Sequence, residues 1–416
     1  MTAPTGWFPV ARASDVGTTP VPVSAAGRPY VVVRLRRGGE VSAFPARCPH
    51  RLVPLTAASV VDGALQCPAH GWRFDAEGRC TRLPSLGDDG TPPPRADLAT
   101  PWAVEERSGW VWIAPERTCS TPPRLVAAPA PEPAAEDGGP HGPVFGNLEP
   151  ALEHAWHPVA LSGELRAGGW LQVRLLGRTW TLVRDDGGIR VHPPAFGARE
   201  RLGVVWLAPA EPADAPLEVP EAADRAFVTA WLPPLRSPGP AGPLADTFLD
   251  ATHAPFVHPA TQAAGPLPGR VDVVAEPGGF RSVQEQEVSG RVRRTTYVHR
   301  APFSLRLRQD FPTTGATTTV VYLLQPEDAD STRIYVRLLM TAGAGRRLPA
   351  PGALAERVAR QQRVLEEDVR SQAALGLPGL PLDPRAEVHV PADARGVALR
   401  QALCDFAAAA RRSAAA

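Results

Sequence analysis

Alternation of apolar and polar residues predicts β-strands in two parts of the chain. Within residues 6–116 the runs are short, as at Tyr30–Leu35 and Gly109–Ile113, and Gly38–Gly39 between two of them is typical of a hairpin turn. From about residue 269 to residue 340 the runs are longer and include FSLRLRQDF and STRIYVRLLM. This second part predicts a large antiparallel sheet with one buried face.

A helical period follows the second group of strands. In GALAERVARQQRVLEEDVRSQAALG, at 352–376, apolar residues recur every three to four positions and Gly ends the run. Strands and helices that occupy separate stretches indicate the α+β class. Residues 118–147 are rich in Pro and Ala and poor in large apolar residues, so we expect a linker there.

Four potential metal ligands lie in the first group of strands. Cys48 and His50 form one pair and Cys67 and His70 form a second, with sixteen residues between the pairs. Zinc sites with this ligand set usually take two Cys from one segment and two His from another. Here each loop supplies one of each, as a [2Fe–2S] cluster with two Cys on one iron and two His on the other requires. A small structural zinc site is the alternative.

The segment CPH followed by CPAHGW resembles the Rieske motif. The resemblance implies an all-β Rieske [2Fe–2S] domain over residues 1–117, with Cys48, His50, Cys67 and His70 as the cluster ligands.

An internal repeat follows the predicted linker. AWHPVALSGEL, TLVRDDGGIRV and RERLGVVWLAPAE repeat, in order, GWFPVARASDV, VVVRLRRGGEV and EERSGWVWIAPE. The second copy lacks about fifty residues where the first holds its Cys and His. We therefore expect residues 148–212 to be a degenerate, cluster-free Rieske-like β unit; coincidence among short strand-forming runs is the alternative.

A second group of potential ligands lies in LADTFLDATHAPFVHPAT. His253 and His258 are separated by five positions, and Asp250 precedes the first by three. This spacing on a helix or turn can place two imidazoles around one metal with a carboxylate nearby. Taken alone, the segment fits equally well an amphipathic turn with two incidental histidines.

Together, the two segments resemble the Rieske non-haem iron oxygenases (ring-hydroxylating oxygenase alpha-subunit-like). The resemblance implies a helix-grip catalytic domain with an antiparallel sheet over residues 213–416. It also implies a mononuclear Fe(II) held by His253, His258 and a carboxylate from the 352–376 helix. Asp368 matches the family's ligand, and Glu366 and Glu367 are the alternatives.

The resemblance assigns a bridging role to Asp250. In the family a carboxylate at this position joins the first iron-ligand His, here His253, to a cluster His, here His70, across a head-to-tail trimer. Asp246 is the second candidate, and Thr247 stands where Asn is common. A homo-oligomer, most simply a trimer, is therefore expected. An interface within one chain is the alternative, because the degenerate β unit lies between the cluster domain and the catalytic domain.

The implied activity is that of a terminal oxygenase. Electrons would pass from the Rieske cluster to the mononuclear Fe(II), which activates O2 for hydroxylation, demethylation or a related oxidation of a small aromatic or terpenoid-like substrate. No Gly-rich dinucleotide fingerprint follows a strand, so NAD(P)H would act indirectly, through a separate reductase or ferredoxin. The alternative functions are a Rieske electron-transfer protein without its own oxygenase site and a scaffold of tandem β units.

Composition limits the other partners. The net charge of +1 and the absence of a basic run give no indication of nucleic-acid binding. Nowhere do eighteen apolar residues occur together, so no membrane span is predicted. Of the five Cys, two are candidate cluster ligands, and the other three, Cys80, Cys119 and Cys404, are scattered. This pattern favours a reducing compartment rather than a disulfide scaffold, and we expect a cytoplasmic protein.

Overall fold

The structure is a computed structural model that describes residues 6–124, 130–133, 142–214, 216–261, 267–288, 290–343 and 351–414. By spatial contact the chain divides into two compact units, Met1–Pro140 and His141–Ala416. The predicted linker at 118–147 falls partly outside the described residues.

The smaller unit is built from short antiparallel strands. In chain order they are β1 (Phe8–Arg12), β2 (Val21–Ala25), β3 (Arg28–Arg34), β4 (Val41–Pro45), β5 (Ser59–Val61), β6 (Ala64–Gln66), β7 (Arg73–Phe74), β8 (Cys80–Arg82), β9 (Ala103–Arg107) and β10 (Trp110–Ala114). They form three sheets, β1-β10-β9, β2-β3-β4 and β5-β6-β7-β8.

The predicted strands of this unit are confirmed. Tyr30–Leu35 corresponds to β3 and Gly109–Ile113 to β10, and the predicted Gly38–Gly39 turn joins β3 to β4, with Gly38 at φ +68°. All five residues of β10 are buried, because the strand lies between β1 and β9 and both of its faces are covered: Val111 and Ile113 join the main core, and the other three residues pack with Trp7. Apolar residues of β1–β4 and β10 make up that core.

The larger unit begins with a second set of antiparallel strands. These are β11 (Val144–Phe145), β12 (His157–Leu161), β13 (Trp170–Leu175), β14 (Arg178–Asp185), β15 (Gly188–His192), β16 (Gly197–Arg201) and β17 (Val204–Ala208). Two three-stranded sheets result, β12-β17-β16 and β13-β14-β15.

The pairing in this segment repeats that of the smaller unit. The register of β1 with β10 shifts between Pro9 and Ala11, and that of β12 with β17 shifts between Pro158 and Ala160. The sheet β5-β6-β7-β8 has no counterpart among the described residues of 148–212. These features agree with the expected duplication. The four-part domain division stays a prediction, and residues 148–212 pack within the larger unit.

In the described residues nine strands remain, and all but the last form one large sheet, as the alternating pattern predicts. The expectation of a single buried face is wrong for the longest of these strands, in which residues 317–327 are all buried because both faces are covered. The nine strands are β18 (Val228–Trp231), β19 (Leu235–Pro238), β20 (Val274–Glu276), β21 (Gly279–Val288), β22 (Arg291–Arg300), β23 (Ser304–Phe311), β24 (Ala316–Asp328), β25 (Ser331–Thr341) and β26 (Leu380–Pro381). The eight-stranded antiparallel sheet has the order β18-β25-β24-β23-β22-β21-β20, and β19 also pairs with β25. The short strand β26 pairs with β11.

The described residues of the larger unit also form four α-helices. They are α1 (Ala241–Leu249), α2 (Ala254–Val257), α3 (Pro351–Leu375) and α4 (Ala394–Ala414). The predicted helix at 352–376 is confirmed as α3, and the α+β class is confirmed with it. None of the helices in the described ranges is long and apolar enough to cross a bilayer. A cytoplasmic location stays a prediction.

Candidate metal centres

The first candidate centre lies in two loops of the smaller unit that have the same turn. The Leu52 N–H donates to the Cys48 carbonyl at 3.1 Å, and the Gly71 N–H donates to the Cys67 carbonyl at 3.1 Å. Leu52 and Gly71 both have positive φ, +54° and +68°. Glycine adopts this conformation at low cost, whereas Leu52 is held in it by its surroundings.

The structure brings the four predicted cluster ligands together in a buried position. Cys48, His50, Cys67 and His70 are each 5% exposed or less, and the two imidazole rings are 4.3 Å apart between centroids. Burial raises the pKa of Cys48, while its thiol donates to Cys67 and thereby lowers the pKa of the second thiol. Two sulfurs and two imidazoles that converge out of water fit a Rieske-type [2Fe–2S] cluster.

Trp72 supports this first centre. Its ring stacks on His50, with centroids 4.4 Å apart and planes 9° from parallel, and only 1% of the residue is exposed. The Gly-Trp that follows His70 was the sequence signal, but the pattern gave Trp72 no role. Its contact fixes the orientation of one of the two imidazoles.

The second candidate centre lies where α1, α2 and α3 meet. Asp250 is the residue after α1, while His253 and His258 flank the four-residue helix α2. Asp368 projects from α3. The short helix turns the chain once between the two histidines, so both rings reach the same point.

Three ligand atoms converge there. The Nε2 atoms of His253 and His258 are 3.2 Å apart, and the Asp368 Oδ1 lies 3.5 Å from the first and 3.0 Å from the second. The donor atoms of this group all lie within 4.8 Å of one another. The side chains of His258 and Asp368 are 0% and 5% exposed, so little water competes for the position.

The proton positions of the second centre favour a cation. The Glu367 carboxylate accepts from His258 Nδ1 at 2.7 Å, so in the neutral ring Nε2 carries a lone pair toward Asp368. Burial opposes charge on His253, yet the nearby carboxylates of Asp250 and Asp368 raise its pKa to about 9. The His258 lone pair and the Asp368 carboxylate face each other at hydrogen-bond distance, so a positive charge, either a proton or a metal ion, is needed between them. The donor set therefore fits a divalent metal in a 2-His-1-carboxylate site.

Glu367 is a functional candidate to which sequence reasoning gave no positioning role. The sequence indicates it only as an alternative ligand, whereas in the structure its carboxylate contacts the far nitrogen of His258 and the Thr261 hydroxyl, 2.6 Å away. Glu366 instead accepts from Gln362 at 3.2 Å on the same helix. Of the three consecutive acids, only Asp368 meets both imidazoles.

Asp250 stabilises the turn that carries the histidines. Its Oδ1 accepts from the Thr252 N–H at 2.6 Å, from the Thr252 hydroxyl at 2.9 Å and from the His253 N–H at 3.3 Å. The same oxygen lies 3.8 Å from His253 Nδ1. A bridge from Asp250 to His70 of the smaller unit stays a prediction.

The other residues near this motif have contacts of their own. Asp246 pairs with Arg400 at 3.2 Å. The Thr247 hydroxyl donates to the Pro243 carbonyl at 3.1 Å, within its own helix. Where the family often has an amide, this chain therefore has a hydroxyl that is already engaged with the backbone.

A cavity of about 320 Å³ adjoins the second centre. His253, His258 and Asp368 form part of its wall. The remaining lining is mixed: Phe248, Asp250, Ala251, Ala254, Pro255, Leu267, Gln284, Gln286, Arg293, Tyr297, Leu307, Gln309, Phe311, Val320, Tyr322, Arg357, Arg360, Gln361 and Val364. The volume lies within the range of sites for small organic molecules.

Comparison with known families gives matches to both halves of the chain. A family model for the Rieske [2Fe-2S] domain matches residues 6–98. A second model, for the vanillate O-demethylase oxygenase C-terminal domain, matches residues 240–409. The first match contains the four Cys and His of the first centre, and the second contains all three ligand candidates of the second centre.

Individual relatives match over shorter lengths. Pheophorbide a oxygenase from Oryza sativa subsp. japonica is 40% identical over 86 residues, which cover 20% of this chain and 16% of that protein. The 3-chlorobenzoate-3,4-dioxygenase oxygenase subunit from Comamonas testosteroni is 32% identical over 130 residues, 30% of each chain. The chain thus spans less than a third of the length of these relatives.

Among solved structures, dicamba monooxygenase bound to dicamba aligns with 99% of this chain and 98% of its own, at 16% identity and a TM-score of 0.42. The two family matches follow each other in the chain, each around one candidate centre. With a Rieske [2Fe-2S] domain and a vanillate O-demethylase oxygenase C-terminal domain, the chain belongs to the Rieske oxygenases.

Proposed function

We propose that this chain is the terminal oxygenase of a multicomponent system and acts on a small organic substrate. The observation that carries the proposal is the convergence of His253, His258 and Asp368 at the wall of a cavity, in a chain that also has a Rieske domain. With a [2Fe–2S] cluster at the first centre and Fe(II) at the second, the chain would have a one-electron store and a site for O2.

The protein's own residues supply position and charge. Asp368 and the two imidazoles offer three donors on one side, which leaves the cavity side open. Glu367 holds His258 in one tautomer, and Asp250 fixes the turn before His253. Burial of these groups excludes water from the position where the substrate and O2 would meet.

The proposal includes partners outside the chain. A separate reductase or ferredoxin would bring electrons from NAD(P)H, and a head-to-tail homotrimer would join His70 of one subunit to Asp250 of the next. The reaction would be a hydroxylation, a demethylation or a related oxidation.

Iron analysis and O2 uptake test the proposal together. The purified chain should hold about three irons, two in the cluster and one at the second centre. Asp368→Ala should lose the mononuclear iron and substrate-dependent O2 uptake while it keeps the cluster's absorption. Glu366→Ala is the matched control, because Glu366 accepts a hydrogen bond from Gln362 on its own helix and is not one of the three converging ligand candidates. Full iron content in Asp368→Ala would refute the assignment.

The bridging role of Asp250 has its own test. Asp250→Asn keeps an acceptor oxygen for the turn but removes the negative charge beside His253. We expect both metals to be retained and the oxidation of the reduced cluster by O2, followed in single turnover, to slow by about tenfold or more. An unchanged rate would exclude the bridge.

An electron-transfer protein without an oxygenase site is the second candidate. It would hold only the two irons of the cluster, and Asp368→Ala would leave its iron content unchanged. The match of residues 240–409 to an oxygenase domain favours the first candidate.

A further inference from the structure

We propose that the cavity selects an organic anion, most simply a carboxylate, through Arg293, Arg357 and Arg360. This inference rests on the proposed function and names the substrate class of the same site. All three arginines line the cavity beside His253, His258 and Asp368. None of them is part of the Rieske or iron-ligand motifs.

The three guanidinium groups lack acidic partners among the described residues. Arg293 donates to the side-chain oxygen of Gln286 at 2.9 Å, and Arg360 donates to the Thr261 carbonyl at 2.8 Å. The Nε atoms of Arg293 and Arg357 are buried and have no hydrogen-bond partner. The structure does not describe every residue of the larger unit. The residues left out are His141, Ala215, 262–266, Ser289, 344–350 and the two terminal Ala, and none of them is Asp or Glu.

The charges of the cavity wall do not balance. The acids that line it are Asp250 and Asp368, and Oδ1 of each faces the histidine cluster. Burial lowers the pKa of Arg357, and the positive charges of Arg360 and Arg293 lower it further. A divalent ion at the histidines would add two more positive charges. An anionic ligand would reduce the repulsion among Arg293, Arg357 and Arg360.

The geometry of α3 separates the cationic end from the metal end. Arg357, Gln361, Val364 and Asp368 follow each other at three- to four-residue intervals, so they lie along one face of the helix. Eleven residues from Arg357 to Asp368 correspond to about 16 Å along the helix axis. A ligand anchored by the arginines would therefore present its opposite end to the metal.

The middle of the cavity suits an apolar or aromatic body. Phe248 stacks on Tyr322 with ring centroids 4.3 Å apart, and Leu307, Phe311 and Val364 add apolar surface. Arginine binds a carboxylate through two parallel N–H donors in one plane, and the opposite charges strengthen both hydrogen bonds. A neutral amide or ester lacks the negative charge and therefore binds arginine less strongly. The cavity thus fits a carboxylic acid in which an apolar or aromatic part separates the carboxylate group from the carbon that reacts.

Binding measured without turnover separates this inference from the oxygenase proposal. The probes are 4-methoxybenzoate and octanoate, each compared with its neutral amide by calorimetric titration of the as-isolated protein. We expect each carboxylate to bind about tenfold or more tighter than its amide, with the preference decreasing at high salt. Equal binding of both forms, or no carboxylate binding, would overturn the inference.

Two variants locate the effect. Arg357→Gln should abolish the carboxylate preference and leave Tm unchanged or raised, because it removes an unpaired buried charge. Arg363→Gln is the control, since Arg363 is exposed on the same helix and does not line the cavity. A lower Tm together with lost affinity in Arg357→Gln would assign Arg357 a structural role and refute the inference. Carboxylate binding that persists while O2 uptake is absent would refute only the oxygenase proposal.

Discussion

At the second centre, the Glu367 carboxylate supports His258 from the side opposite the candidate metal position. Glu367 and Asp368 are consecutive in α3, and their carboxylates contact opposite nitrogens of the same ring, His258 Nδ1 and Nε2. The two carboxylates hold the imidazole from both sides, which fixes its plane and its tautomer. Such outer contacts make a ligating imidazole more basic.

Replacing Glu367 tests this positioning role. Glu367→Gln removes the negative charge but keeps an oxygen that can accept from His258, so the fold should be retained. We expect iron affinity at the second centre to fall about 10- to 100-fold, measured by competition with a chelator. Glu366→Gln should leave the affinity unchanged. Equal affinity in both variants would show that Glu367 does not position the ring.

His157 predicts part of the pH dependence of stability. It is buried in β12, its Nε2–H donates to the Leu152 carbonyl at 2.7 Å, and burial lowers its pKa from 6.5 to about 4. The folded state therefore favours the neutral ring, while the unfolded chain binds a proton below about pH 6.5. Its contribution to stability is full above that pH and is lost as the pH falls toward 4.

Urea unfolding at pH 7 and pH 5 measures this contribution. Between pH 7 and pH 5, protonation linked to His157 should lower the free energy of unfolding of the wild type by about 2 kcal/mol. The decrease should be smaller by this amount in His157→Gln. His154→Gln is the control, because His154 bonds to the Glu211 carbonyl on an exposed surface. Identical pH dependence in wild type and His157→Gln would contradict the prediction.

At the residue scale, sequence patterns indicate candidate ligands but not the residues that would support them. Regular spacing identified His253 and His258, because five positions around a short helix bring two rings together. The contact of Glu367 with His258 could not be predicted, because in a run of three consecutive acids the sequence does not show which side chain faces the histidine. The role of Arg357 also depends on a cavity that only the folded sheet and α3 create.

Among the elements, α4 fixes the helix that precedes the iron-ligand motif. Arg400 of α4 donates to Asp246 of α1 at 3.2 Å and is also paired with Glu387, and all three side chains are 5% exposed or less. A buried cation between two carboxylates is costly to remove, because its loss takes a buried positive charge away from both of them. The network therefore holds α1, and with it Asp250, in place.

Arg400→Ala should destabilise the larger unit by about 3–5 kcal/mol in urea unfolding. Arg411→Ala is the matched control on the same helix, because Arg411 is exposed, and we expect little change. If the two variants were equally stable, the network would have no net role in holding α1.

Elements with a strong period were predictable, and short ones were not. Helix α3 follows from its helical spacing because it buries one face. Alternation predicts the large sheet but not the burial of its longest strand, because β24 is covered on both faces over residues 317–327. Helix α2 has only four residues, too few for a period, and the pairing of β11 with β26 joins residues more than 230 positions apart. Such contacts are determined by tertiary packing, which local patterns do not encode.

For the whole molecule, two compact units carry one candidate centre each. The first centre lies within Met1–Pro140 and the second within His141–Ala416, so the ligands of each come from a single unit. Each centre should therefore assemble without the other. Coupled turnover, in contrast, requires both.

Cys48→Ala tests this independence. Loss of one buried thiolate should remove the cluster, its visible absorption and two of about three irons per chain, while about one iron stays bound at His253, His258 and Asp368. Cys119→Ser is the control, because Cys119 is exposed and should not affect iron content. Substrate-dependent O2 uptake should cease in Cys48→Ala although its second centre is intact. If both kinds of iron were lost together, assembly of the two centres would be coupled, and the two units could not be treated as independent metal-binding domains.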